Sequence, residues 1–159
     1  MTFLYNLGQF GPIILIIMSW YLLWENNNLF FYYTIGVFVN SILNLLFKGI
    51  IQEPRPLYDY TKIMLAKKHA KQYFFQNRIP FDIFGMPSGH AQSSMFSTTF
   101  IFLSLKKTKI LYLYLAISLI TCYQRVAFNF HTITQIMVGS MVGCVIGYIV
   151  YNFSREKTQ

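Results

Sequence analysis

Three polar stretches interrupt a chain that is 55% hydrophobic and only 11% charged. They run from Lys48 to Pro56 (KGIIQEPRP), from Pro87 to His90 (PSGH) and from Tyr123 to Gln135 (YQRVAFNFHTITQ). Lys48, Arg55 and Arg125 supply cations, and the two guanidinium forks match the geometry of phosphate oxygens. Ser88 and the amides of its turn add neutral donors, while His90 and His131 remain for proton transfer and covalent work. That set describes phosphoryl transfer. Metal-assisted catalysis fits poorly, because the five acidic residues (Glu25, Glu53, Asp59, Asp82, Glu156) form no close cluster in the sequence. With three cations directed at phosphate, no divalent ion is needed to neutralise its charge, and no cofactor is called for.

Each residue also has a plainer use. A lone lysine at a helix end ordinarily snorkels to the interface, and Lys48 reads as a phosphate ligand only beside the other two stretches. Pro54 and Pro56 end the helix and hold Arg55 between them. Pro87 suits a turn or a first helical position, Gly89 allows close backbone approach to a ligand, and a helix start offers unpaired amides to an oxyanion. His90 is either a hydrogen-bonded interfacial histidine or a general acid. Gln135 lies one helical turn beyond His131 and can touch it. Ionisable groups at membrane depth are costly enough to be functional by default.

Apolar runs near the length of a bilayer-spanning helix, about 20 residues, must position these groups. They cover 4–24, 29–51, 91–105, 110–127 and 133–153, the third being short. The expected fold is therefore all-α, a polytopic membrane bundle of about five helices forming one domain over residues 1–159. One long loop, residues 52–83, carries a segment from Tyr60 to Phe75 that reads either as an interfacial amphipathic helix or as a solvated basic loop. No Lys or Arg precedes Lys48, so the first apolar run lacks the basic flank of a cleaved signal and is expected to stay. Cys122 and Cys144 fall inside predicted spans and read as small packing residues.

Alternation of five spans puts the N-terminus, the long loop and residues 124–132 on one face. Residues 25–28, 106–109 and the C-terminal tail go to the other. The net charge of +8 lies at span ends and in the loop, which favours anionic headgroups and a phosphorylated lipid over nucleic acid. Basic residues compete on both faces, so charge leaves the orientation open.

The three stretches resemble the signature of the type-2 phosphatidic acid phosphatase superfamily, Lys-x6-Arg-Pro, Pro-Ser-Gly-His and Ser-Arg-x5-His-x3-Asp. The first two match in full. The third matches at Arg125 and His131, with Gln124 in place of the serine and Gln135 in place of the aspartate. The resemblance implies a metal-independent lipid phosphatase in which His131 forms a phosphohistidine, His90 protonates the leaving group, and Lys48, Arg55, Ser88, Gly89 and Arg125 hold the phosphate. In that family the aspartate orients and polarises the nucleophilic histidine; a neutral Gln135 can fix the ring but cannot stabilise an imidazolium by charge. The dolichyl-diphosphatase branch is similar at this point, with an HTxxQ pattern like His131 to Gln135 and EPRP and GMPS elements like residues 53–56 and 85–88. The resemblance thus implies a polyprenyl diphosphate as substrate, cleaved to the monophosphate. It also implies a lumenal active site in the endoplasmic reticulum for a eukaryotic chain, or an outward one at the plasma membrane for a bacterial chain. Rival readings are a phosphatase for phosphatidic acid, phosphatidylglycerophosphate or a lysolipid, a lipid-phosphate binder without turnover, and a bundle whose polar residues serve packing alone.

Overall fold

The computed structural model describes residues 2–56 and 80–156. Among them stand five α-helices: α1 (Thr2–Leu23), α2 (Asn27–Ile51), α3 (Gly89–Leu105), α4 (Thr108–Ala127) and α5 (Ile133–Glu156), with a short 3-10 turn at Pro80–Ile83. The segment from Tyr60 to Phe75, the candidate interfacial helix, lies outside the described residues.

Four of the helices, α1, α2, α4 and α5, are long and apolar enough to cross a membrane. At 17 residues α3 is shorter, and it packs on each of the other four. Outward-facing side chains such as Tyr21, Phe38, Ile42, Leu119 and Met141 are more than half exposed, as expected where the surrounding solvent is lipid rather than water. The chain is a multi-pass membrane protein. Cys122 and Cys144 are unpaired and half-buried.

The tightest seam joins α3 to α5. Gly139, Gly143 and Gly147 recur every four residues on α5, and a Cβ at any of them would run into the backbone of Ser88, Gln92 or Phe96. Small residues at this spacing let two helix backbones meet, which is how helices associate without a hydrophobic drive between them. The seam holds the start of α3, and with it the PSGH turn, against the start of α5. The apolar core lies toward the other end, around Leu23, Tyr33, Phe96, Phe100, Tyr114 and Ile146.

One face of α2 carries Tyr33, Gly36, Asn40, Asn44 and Lys48, all buried. Their spacing of three and four residues is one helical stripe. Asn44 donates to the carbonyl of Pro87 (3.2 Å) and to Gln92 Oε1 (2.8 Å), and Gln92 Nε2 donates back to Asn40 Oδ1 (3.0 Å). This buried amide ladder ties α2 to the turn before α3. Groups so enclosed cost free energy unless paired, so the ladder specifies the register in which α2 delivers Lys48.

Candidate active site

The end of α2 is built to stop. Gln52 takes a left-handed conformation (φ 53°) and returns its N–H to the carbonyl of Lys48, and Pro54 and Pro56 prevent continuation. The chain then runs antiparallel to the segment before α3, with Gly85 N–H donating to the carbonyl of Glu53 at 2.7 Å and a bridge between Pro54 and Phe84. The first polar stretch is thereby tied to the segment that leads into the second.

Lys48 does not snorkel. It is 2% exposed and its Nζ donates to Asp82 Oδ1 at 2.6 Å. Arg55 reaches the same residue, donating through one terminal nitrogen to the carbonyl of Asp82 at 2.7 Å and lying 3.5 Å from its carboxylate. Partial burial pushes the Asp82 carboxyl up, but Lys48 and Arg55 together hold it below the usual carboxylate range. Two cations of the signature thus already converge on one anionic oxygen, the arrangement a phosphate would meet.

Ser88 is the N-cap of α3, yet its Oγ makes no capping bond and is buried without a hydrogen-bond partner among the described residues. Pro87 sits before this cap in the turn, not in the helix. Gly89 is packed against Asn44, whose Oδ1 a Cβ would approach to 3.1 Å, so the glycine makes room for the amide ladder. His90 places Nε2 3.2 Å from the carbonyl of Gln9. A carbonyl accepts only, so Nε2 carries the hydrogen and Nδ1 is the nitrogen left to change protonation.

Arg125 closes the cradle from α4. It is 5% exposed, donates to Gln9 Oε1 at 2.7 Å and lies 4.3 Å above the ring of Phe130, a cation–π contact. Its Nε is buried without a partner among the described residues. Its carbonyl accepts from both Phe130 N–H (2.9 Å) and His131 N–H (3.1 Å), and Asn129 takes the left-handed conformation this turn needs (φ 54°). The five-residue gap between arginine and histidine is therefore one tight helix-ending turn. Gln124, beside it, is 2% exposed with its Nε2 unpartnered among the described residues.

The HTxxQ stretch is a capping box at the start of α5: Gln135 N–H donates to Thr132 Oγ1 and Thr132 N–H to Gln135 Oε1, each at 3.2 Å. Gln135 Oε1 also lies 3.1 Å from His131 Nδ1, while Gln135 Nε2 donates to Glu53 Oε1 (2.7 Å) and to the carbonyl of Pro54 (2.9 Å). A backbone N–H on one side and two oxygens on the other admit a single orientation of the amide. Its oxygen faces the ring, so His131 Nδ1 bears the hydrogen and Nε2 keeps its lone pair.

His131 is 3% exposed. Burial first, then the guanidinium of Arg55, push its imidazole from 6.5 down to about 3, against the pull of the Gln135 hydrogen bond. The ring is thus neutral at neutral pH. Between about 6.5 and about 3 an unfolded chain holds a proton here that the folded protein does not. Stability linked to this ring is whole above the upper value and is lost as the pH falls. In His131→Asn the melting temperature in detergent should decline less steeply on acidification across this window than in the wild type. Parallel profiles would refute the shift.

Lys48, Arg55, Ser88, Gly89, His90, Arg125 and His131 meet with Gln135 at one end of the bundle, and Lys48, Arg55 and Arg125 act electrostatically on both His90 and His131. Sequence reasoning missed Gln9, Asn40, Asn44, Glu53, Asp82 and Gln92. The four-residue spacing of Asn40, Asn44 and Lys48 inside an apolar run was a readable signal for two of them. Beside His90 a groove of about 480 Å³ runs between α1 and α2, lined by Gln9, Phe10, Ile13, Asn44 and Leu45 among others. Among the described residues no three His, Cys, Asp or Glu side chains cluster closely enough to hold a metal ion.

The sequence pattern of the PAP2 superfamily matches residues 27–159. Dolichyldiphosphatase of Saccharomyces cerevisiae is 29% identical over 126 residues, covering 73% of this chain and 48% of that protein. Dolichyldiphosphatase 1 of Homo sapiens is 26% identical over 137 residues, covering 76% and 51%. The chain spans about half the length of the curated relatives it matches. No solved structure gives a significant match.

Proposed function

We propose, from a chain that belongs to the PAP2 superfamily, a metal-independent membrane phosphatase that cleaves a polyprenyl diphosphate of the dolichyl type to its monophosphate. His131 Nε2 attacks the terminal phosphorus, a P–N bond forms, and the P–O bond to the lipid monophosphate breaks. His90 enters as the imidazolium and gives its Nδ1 proton to the departing oxygen; the neutral ring then takes a proton at Nδ1 from a water whose oxygen bonds to phosphorus as the P–N bond to His131 breaks and phosphate leaves. Lys48, Arg55, Arg125, Ser88 Oγ and the first amides of α3, beginning at Gly89, hold the phosphate oxygens as charge develops.

The observation that carries this reading is the convergence of three buried or half-buried cations on two histidines, one of them held with its lone pair free. Ser88 Oγ and Arg125 Nε, buried donors without partners among the described residues, suit a ligand rich in acceptors. The groove beside His90, where Phe10 and Ile13 are each about half exposed, suits an alkyl chain. The names of the relatives favour the diphosphate over other lipid phosphates.

Purified protein in detergent with a chelator present should release phosphate from a polyprenyl diphosphate faster than from phosphatidic acid, phosphatidylglycerophosphate or a lysolipid phosphate. Release abolished by the chelator would reject the mechanism, and a preference for a glycerolipid would reassign the substrate.

A further inference from the structure

Glu53 has no role in the signature, yet it touches the residue that holds the nucleophile. Its Oε1 accepts the hydrogen bond from Gln135 Nε2 at 2.7 Å, and the other end of the same amide accepts from His131. Its backbone is fixed as well, since its carbonyl accepts from Gly85 N–H. Gly85 in turn lies against the Gln135 amide so closely that a Cβ would stand 2.5 Å from Oε1. Glu53 therefore joins the end of α2, the turn before α3 and the start of α5 at one residue, the turn through its backbone and α5 through its side chain.

We infer that Glu53 is a positioning residue for His131, acting through the Gln135 amide as a carboxylate displaced by one side chain. The inference rests on the phosphatase reading for its catalytic consequence, not for its geometry. When Nε2 attacks phosphorus, the imidazole gains positive charge. An amide whose N–H groups point at a carboxylate is polarised toward its oxygen, and that oxygen is the acceptor for His131 Nδ1–H. The chain thus recovers part of what the family's aspartate supplies at position 135. It also explains why an acid does not stand there: a carboxylate at 135 would face Glu53 and the Pro54 carbonyl with no hydrogen between them.

The test uses the full chain in detergent with Glu53→Gln, Glu53→Ala, Gln135→Glu and the exchanged pair Glu53→Gln/Gln135→Glu. Phosphate release from a polyprenyl diphosphate and the ring ¹⁵N shifts of His131 are both read. Glu53→Gln keeps a hydrogen-bonding partner but not the charge, and should lower kcat about 10-fold with KM unchanged; Glu53→Ala should lower it about 100-fold. Gln135→Glu alone should be worse than the exchanged pair, which restores one carboxylate and one amide. In the ¹⁵N spectrum the wild-type ring should show the Nδ1–H tautomer, and Glu53→Ala a mixture.

Wild-type kcat and an unchanged tautomer in both Glu53 variants would overturn the proposal, as would an exchanged pair no better than Gln135→Glu. If the wild type releases no phosphate but the His131 tautomer still responds to Glu53→Ala, the positioning role stands and the assigned activity falls.

Discussion

On the proposed mechanism, phosphate release from a polyprenyl diphosphate is expected to fall on the order of 10⁴-fold or more in His131→Ala, because the P–N bond of the proposed intermediate would have no other nitrogen to form on. Lys48, Arg55 and Arg125 are untouched, so affinity for the lipid should change little. His131→Asn provides the folding control, since an asparagine amide can still donate toward Gln135 Oε1. Acid-labile label on the protein after a quench with labelled substrate should appear in the wild type and vanish in both variants. A wild type that binds the lipid yet neither turns over nor carries label would make the protein a lipid-phosphate binder.

On the same mechanism His90→Ala is expected to have the next largest effect, its size depending on what leaves. A lipid monophosphate substrate expels an alkoxide, a poor leaving group that needs a proton, whereas a lipid diphosphate expels a phosphate ester that is already stable as an anion. Loss of a general acid typically costs about 10² to 10⁴-fold. The full cost is expected on the monophosphate, and a clearly smaller one on the diphosphate in the first half-reaction, measured as the rate of label appearing on His131. Equal losses on both substrates would mean that His90 serves binding rather than proton transfer. The contact of His90 Nε2 with the Gln9 carbonyl adds a condition. Removing the Gln9 side chain leaves that carbonyl in place, so a Gln9 substitution should act mainly through Arg125, whose partner is Gln9 Oε1.

Much of this site is legible along the chain because its spacings are those of helix ends. Lys48 precedes two prolines, Arg125 precedes a turn, and His131 precedes a capping box, so each of these candidate site residues is announced by the backbone signal that stops or starts its helix. Pairing across the bundle is not legible in that way. Nothing in the local sequence says that Asn44 donates to Pro87 O and Gln92, that Asp82 lies against Lys48 and Arg55, or that Gln9 in the first helix touches both His90 and Arg125. These contacts join residues 27 to 116 positions apart, and burial, not propensity, selects them.

The residue types and their periodicity alone determine that the chain is a membrane helix bundle with a cationic polar end, because apolar run length and helix-ending residues act locally. Only the tertiary structure decides how Gln135 works. Its amide can turn either way in isolation, and it is the Thr132 N–H on one side and Glu53 with Pro54 on the other, brought together by the close α3–α5 seam and the Glu53–Gly85 contact, that turn its oxygen toward His131 and leave Nε2 of that ring with its lone pair.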